Sequence, residues 1–276
     1  MRQLKRRKVL KQLFALPRDV IQNRRLILTL AKNDFKTRFA GSYLGIVWAF
    51  VQPVITVLLY WFVFQVGFRS VPVGDIPYVL FLTAGLIPWF FFSEAMMSGM
   101  NCMMEYSYLV KKVVFKISIL PMVKLVSALF VHLFFVGFLV LLYALMGFAP
   151  DFYTLQVVYY SVCMFVLVLC FTYFNCSIVI FFRDWGQIMN IILQVVMWMT
   201  PIMWDYHIIK NPVLLNILKL NPLYYIVEGY RDALIHKVWF WENWKLSLYF
   251  WGFTLIVFLI GTTVYKKLRG HFADVL

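Results

Sequence analysis

The sequence predicts an all-α integral membrane domain of six transmembrane helices. An N-terminal amphipathic interface helix, a cytoplasmic coupling helix and two short external re-entrant helices before the last span complete it. Three observations predict this class. Of 276 residues, 63% are hydrophobic and 14% charged, where soluble domains average about 45–50% and 25%. The apolar residues gather in runs near 43–66, 77–100, 121–146, 156–182, 187–204 and 246–265, each of roughly 18 residues or more and so able to cross a ~30 Å hydrocarbon core. The net charge of +14 follows topology. With the N-terminus placed inside, only Arg69, Lys210, Lys219, Arg231, Lys237 and Lys245 of the 26 Lys and Arg fall outside, so the positive-inside rule sets both termini in the cytoplasm. Basicity of this origin does not imply nucleic acid.

Taken in order, the first 42 residues lack the apolar core and small-residue cleavage site of a signal peptide, so the N-terminus is expected to belong to the working protein. Leu28, Ala31, Phe35 and Phe39 recur every three or four residues, with Arg24, Arg25, Lys32, Lys36 and Arg38 on the other faces. The pattern over 18–40 predicts a basic amphipathic helix in the membrane plane, serving as a plain anchor or as a platform for a partner. Gln52-Pro53 then enters the first span, where proline withholds an N–H from the helix ladder.

The second inner connection, "NCMMEYSYLVKKVVFKISILP" (101–121), is too long for a hairpin turn. Its polar and aromatic residues followed by lysines predict a short cytoplasmic helix over 101–118, as against a solvated loop. In the third, "FFRDWGQ" (181–187), Arg183 and Asp184 are adjacent, and an ion pair would lower the cost of holding them between two spans.

Outside, residues 205–244 carry Asn211-Pro212 and Asn221-Pro222, each an N-cap with proline at the first helical position. The helices that follow rise about 12 Å and about 20 Å, too short to cross, so they are expected to be interfacial or re-entrant. Glu228, Arg231 and Asp232 share one turn and can pair locally. With no internal repeat, residues 1–276 read as a single membrane domain.

Catalytic chemistry is not evident. Among 12 acids, Asp75, Asp151, Asp205 and Glu242 stand singly in outer loops, without metal-ligand spacing. His132, His207, His236 and His271 are scattered, and no Walker A pattern exists to cradle ATP phosphates. Cys102, Cys163, Cys170 and Cys176 form no CxxC and read as packing residues. The intramembrane charges Glu94 and Lys124 lie at inner helix ends and are expected to pair across a hairpin. A proton-coupled carrier would place its acids near the midplane. A membrane enzyme acting on lipid-linked sugars stays open, should acids from separate loops converge. Tyr43, Trp48, Trp89 and Trp198 are candidates for an aromatic channel lining, as against interface anchors.

Four ordered segments, "LAKNDFKTRFAGSYLGIVWAFVQP", "LVKKVVFKISILP", "FFRDWGQIMNIILQVVMWMTPIMW" and "NPLYYIVEGYRDALI", resemble the permease subunit of ABC-2-type polysaccharide exporters over nearly the whole chain. Within that family, "HFADVL", "WKLSLY" and "YWFVFQVGFRS" look most similar to the teichoic-acid translocation permeases, more than to the O-antigen permeases. The resemblance implies a homodimer in the bacterial cell membrane, bound to two ABC ATPase subunits that hold ATP and Mg, with no cofactor or catalytic residue on this chain. It implies export of an undecaprenyl-diphosphate-linked polymer through a channel between the two copies. Asn33, Asp34, Phe35, Glu105, Tyr106, Lys111 and Lys112 match its ATPase-coupling segments. Lys36, Arg38 and Lys116 are the cations proposed for a pyrophosphate gate. Lys116 stands where the family favours proline, which implies a longer coupling helix.

Overall fold

The computed structural model describes residues 15–38, 40–67, 76–111 and 116–276. Among them the chain is helical without strands, and five helical stretches are long and apolar enough to cross a membrane: 45–67, 78–105, 117–145, 152–179 and 244–275.

The N-terminal segment forms two helices, α1 (Ala15–Gln22) and α2 (Arg24–Arg38). Between them the Asn23 side chain donates to the Asp19 carbonyl at 2.7 Å. The single surface-lying helix expected here is therefore corrected. The buried stripe of α2 is Ile27, Ala31 and Asp34, whereas Leu28 is exposed, and Phe39 lies outside the described residues. Ile27 and Ala31 join Ile119 and Val123 in one apolar cluster, and Phe35 meets Phe130 edge-on at 6.0 Å. Helix α2 thus packs along the first three turns of a membrane helix.

The first span joins a short 3-10 turn, α3 (Trp48–Trp61) and a π segment through Gly67. Pro53 lies inside α3, and no residue of α3 is fully buried. The second span, α4 (Tyr78–Glu105), is by contrast mostly buried. It absorbs residues 101–105, so the described remainder of the coupling helix expected over 101–118 is the single turn α5 (Ser107–Val110) and a 3-10 turn that starts at Ile117. The third and fourth spans are α6 (Leu120–Leu145), with Pro121 in its first turn, and α7 (Gln156–Val179). Together α4, α6 and α7 make the core.

Helix α8 (Trp185–Met199) has 15 residues and rises about 22 Å, less than a hydrocarbon core. The span expected at 187–204 is thus the short member of the set. A Cβ at Gly186 would lie 3.7 Å from Met100, and one at Gly85 would lie 3.0 Å from the Ile202 carbonyl. Helix α8 therefore runs antiparallel to α4 and stops level with Gly85, roughly 10 Å short of Tyr78 at the outer end of α4.

Helices α9 (Pro212–Lys219) and α10 (Pro222–Arg231) fill the space beyond it. Asn211 and Asn221 cap them, accepting from the amides of Val213 and Leu223 at 2.9 and 3.0 Å. The fifth long span, α11 (Trp244–Leu268), closes on α7, where a Cβ at Gly261 would lie 2.7 Å from the Cys170 carbonyl. The final turn α12 (Phe272–Val275) buries Phe272 against Tyr265 and Phe181.

Candidate functional site

Charges concentrate where α2 climbs α6. The Lys124 ammonium, on the first turns of α6, donates to Asp34 of α2 and to Glu105 at the end of α4, both at 2.5 Å. Tyr106 donates its hydroxyl to the same Asp34 oxygen at 2.7 Å, and the ammonium sits 5.2 Å from the Tyr106 ring centre. Burial, reinforced by the Asp34 carboxylate, pushes the Tyr106 phenol above its ordinary range, so it stays a proton donor. The side chains of Lys124 and Asp34 are each only 8% exposed. Losing Lys124 would strand the buried Asp34 charge, which destabilises by about 3–5 kcal/mol, whereas losing Asp34 leaves Lys124 with Glu105 alone. One cluster thereby ties α2, α4 and α6 together.

Arg38, at the end of α2, forms an ion pair with Glu94 on α4. The expected Glu94–Lys124 pair is accordingly corrected: each of the two charges is bound by a residue of α2. The reason is the course of α2, which carries Asp34 and Arg38 up to acids and bases of the core. Asp19 of α1 holds Lys116 at 3.2 Å and accepts from Ser118 at 3.0 Å.

The residues matched to ATPase coupling divide. Asp34, Glu105 and Tyr106 turn inward on Lys124, Phe35 packs on Phe130, and Asn33 and Lys111 are exposed. Lys112 lies outside the described residues. The three gate cations do not converge: Lys36 is exposed, Arg38 serves Glu94, and Lys116 serves Asp19. The aromatic set does not converge either. Trp89 is buried beside Phe92, while Tyr43, Trp48 and Trp198 are exposed. Arg183 and Asp184 are both exposed and make no ion pair among the described residues.

A cleft follows the α4–α6 seam above this cluster. Its inner chamber, about 420 Å³, is lined by Asp34, Arg38, Glu94, Asn101, Glu105 and Lys124 together with Ser98 and Ser127. Its outer chamber, about 180 Å³, is walled by α3, α4 and α6 and shares Arg38 and Glu94. At its far end His132 turns Nε2 toward Ser161 at 3.1 Å and Tyr230 at 3.2 Å, so α6, α7 and α10 meet there. Ser98, Ser127 and Asp19 were not singled out by sequence; lone polar residues in or beside apolar runs are the only signal they give.

The outer half has its own fixed charge. Arg231 is fully buried and donates to the Pro201 and Ile202 carbonyls at 2.6 and 2.8 Å and to Glu228 at 2.6 Å. Its guanidinium lies 3.5 Å from the Phe81 ring centre. The carbonyls beyond the end of α8, which no further helical turn satisfies, are bound in this way. Among the described residues no group of His, Cys, Asp and Glu could hold a metal ion.

Residues 25–235 match the family model described as ABC-2 type transporter. The chain is 26% identical over 257 residues to the O-antigen export system permease protein RfbA of Klebsiella pneumoniae, covering 91% of this chain and 95% of that protein. The protein of that name from Myxococcus xanthus is 26% identical over 264 residues, covering 95% and 99%. The polysialic acid transport protein KpsM of Escherichia coli is 25% identical over 246 residues, covering 85% and 90%.

Proposed function

Because the chain belongs to the ABC-2 type transporter family, we propose that it is the membrane permease of an ATP-driven exporter of lipid-linked polysaccharide, working as a homodimer with two ABC ATPase subunits. The observation that carries this reading is the cluster of Asp34, Lys124, Glu105 and Tyr106. It fastens the amphipathic helix and the inner connection to the same core helix, so a push on either reaches the bundle. Helix α8 with α9 and α10 completes the sixth crossing, the latter two as re-entrant helices, and both termini lie in the cytoplasm of a bacterium. The polymer path runs between two copies, along surfaces that include the exposed α3 and α8.

Relatives that export O-antigen and polysialic acid by name support polysaccharide as the class. The sequence resemblance makes undecaprenyl-diphosphate-linked wall teichoic acid the first polymer to test. ATP and Mg act on the partner subunit, and this chain transmits its motion. The test is ATP-dependent export in liposomes holding the chain and an ABC ATPase subunit co-expressed with it. Export that requires both proteins supports the reading; a chain that never binds an ATPase subunit overturns it.

A further inference from the structure

We propose that the cleft between α2, α3, α4 and α6 binds an amphiphile with a hydroxyl-rich, uncharged head, held in the inner chamber, and an apolar chain lying in the outer one. Two features of shape support this. The chambers adjoin at Arg38 and Glu94, which line both. Polarity also changes along the axis: carboxylates, serines and Asn101 line the inner chamber, while Trp48, Pro53, Ile87, Phe90 and Phe135 dominate the outer one. A lipid of the inner leaflet has this polarity and this direction.

Hydrogen-bonding valence selects the head. The hydroxyls of Ser98 and Ser127 are buried without a protein partner, and Ser127 is only 3% exposed. An unsatisfied buried hydroxyl costs about 1–3 kcal/mol, a cost that a hydroxyl-bearing head would relieve. Charge selects against an anion. Lys124 is bonded to Asp34 and Glu105, and Arg38 to Glu94. The chamber therefore holds three carboxylates against two cations, and a phosphate would enter a field of its own sign. Neutral hydroxyls both donate and accept, and suit serines, an amide and carboxylates alike.

This inference goes beyond the exporter reading and does not rest on it, because the diphosphate of that cargo carries the charge this chamber disfavours. The test uses the full chain with its ATP-binding subunit in nanodiscs, photolabelled with a decyl β-glucoside carrying a diazirine on the chain. Labels are expected on α4 and α6 around Phe90 and Val131, which line the outer chamber, displaced by decyl glucoside and not by decyl phosphate. Ser127→Ala should weaken that displacement by about fivefold, the effect of one neutral hydrogen bond. Ser127→Thr, which keeps the hydroxyl, should retain it, and this contrast separates binding from misfolding. Equal competition by decyl phosphate, equal affinity in Ser127→Ala, or labels spread evenly over α3 and α8 would each overturn the site, the last two pointing to a cleft filled by water alone. ATP-dependent export is measured on the same preparation. Export without site labelling refutes the cleft alone, and labelling without export refutes the exporter reading alone.

Discussion

Arg231 carries four jobs on one side chain: two backbone carbonyls, a carboxylate and an aromatic face. Arg231→Met keeps the apolar stem but leaves Glu228 buried without a cation and two carbonyls without donors. The expected cost is about 3–5 kcal/mol, read as a lower unfolding midpoint in detergent. Glu228→Gln added to that variant should restore part of it, because the two residues are in contact and their effects do not add. The neighbouring Asp232 titrates. Burial, with the Glu228 charge adding to it, raises its carboxyl to about 7, while Asn243 and Arg231 work the other way. A carboxyl raised above its unfolded value favours the fold at low pH, and that contribution is lost as pH climbs through about 7. Thermal stability should thus fall from about pH 4 to about pH 7 and level off above it, and Asp232→Asn should flatten that slope. Sequence places Arg231 and Glu228 one turn apart. It gives no hint of carbonyls thirty residues upstream, since backbone acceptors carry no residue signature.

Helix starts were written plainly where chemistry is local. The two Asn-Pro pairs and Pro121 fix the first turns of α9, α10 and α6, because a cap needs only its own neighbours. The break at Asn23, the extension of α4 to Glu105 and the early stop of α8 were not legible. The early stop of α8 depends on what lies alongside it, the Arg231 guanidinium that binds the carbonyls beyond its end. The same contrast governs glycines. At Gly229, a Cβ would run into the Tyr160 ring, so α10 reaches α7 only because that position has no side chain. Gly229→Val should separate the two helices and cost roughly 3 kcal/mol or more, since a buried ring has nowhere to move. Gly252→Ala, where nothing lies within 4 Å, should leave stability unchanged or slightly raised. Matched melting curves of the two variants check both expectations. A Gly229→Val protein as stable as its parent would place α10 away from α7.

At the scale of the whole molecule, function depends on how an inner motion reaches the membrane. The path offered is α2, fastened to the core by Lys124 below and by the Arg38–Glu94 pair above. Sequence could identify the charges but not their partners, because a pairing is a property of two helices meeting and only one hairpin was in view. Arg38 consequently has two competing roles, a substrate contact or a fastener. Arg38→Glu alone is expected to lower export under either, since it sets two carboxylates face to face; about tenfold is the scale of the ~1–2 kcal/mol that a half-exposed pair and its repulsive replacement differ by. The exchange Arg38→Glu with Glu94→Arg decides. As a fastener the pair works in either sense, so export should recover to within a few-fold of the parent. If the guanidinium must meet an anionic substrate from α2, the exchanged protein stays defective although its two helices are joined again. Export by the single and exchanged variants, measured beside unchanged binding of the ATPase subunit, therefore assigns Arg38 to the machinery of motion or to the path of the cargo.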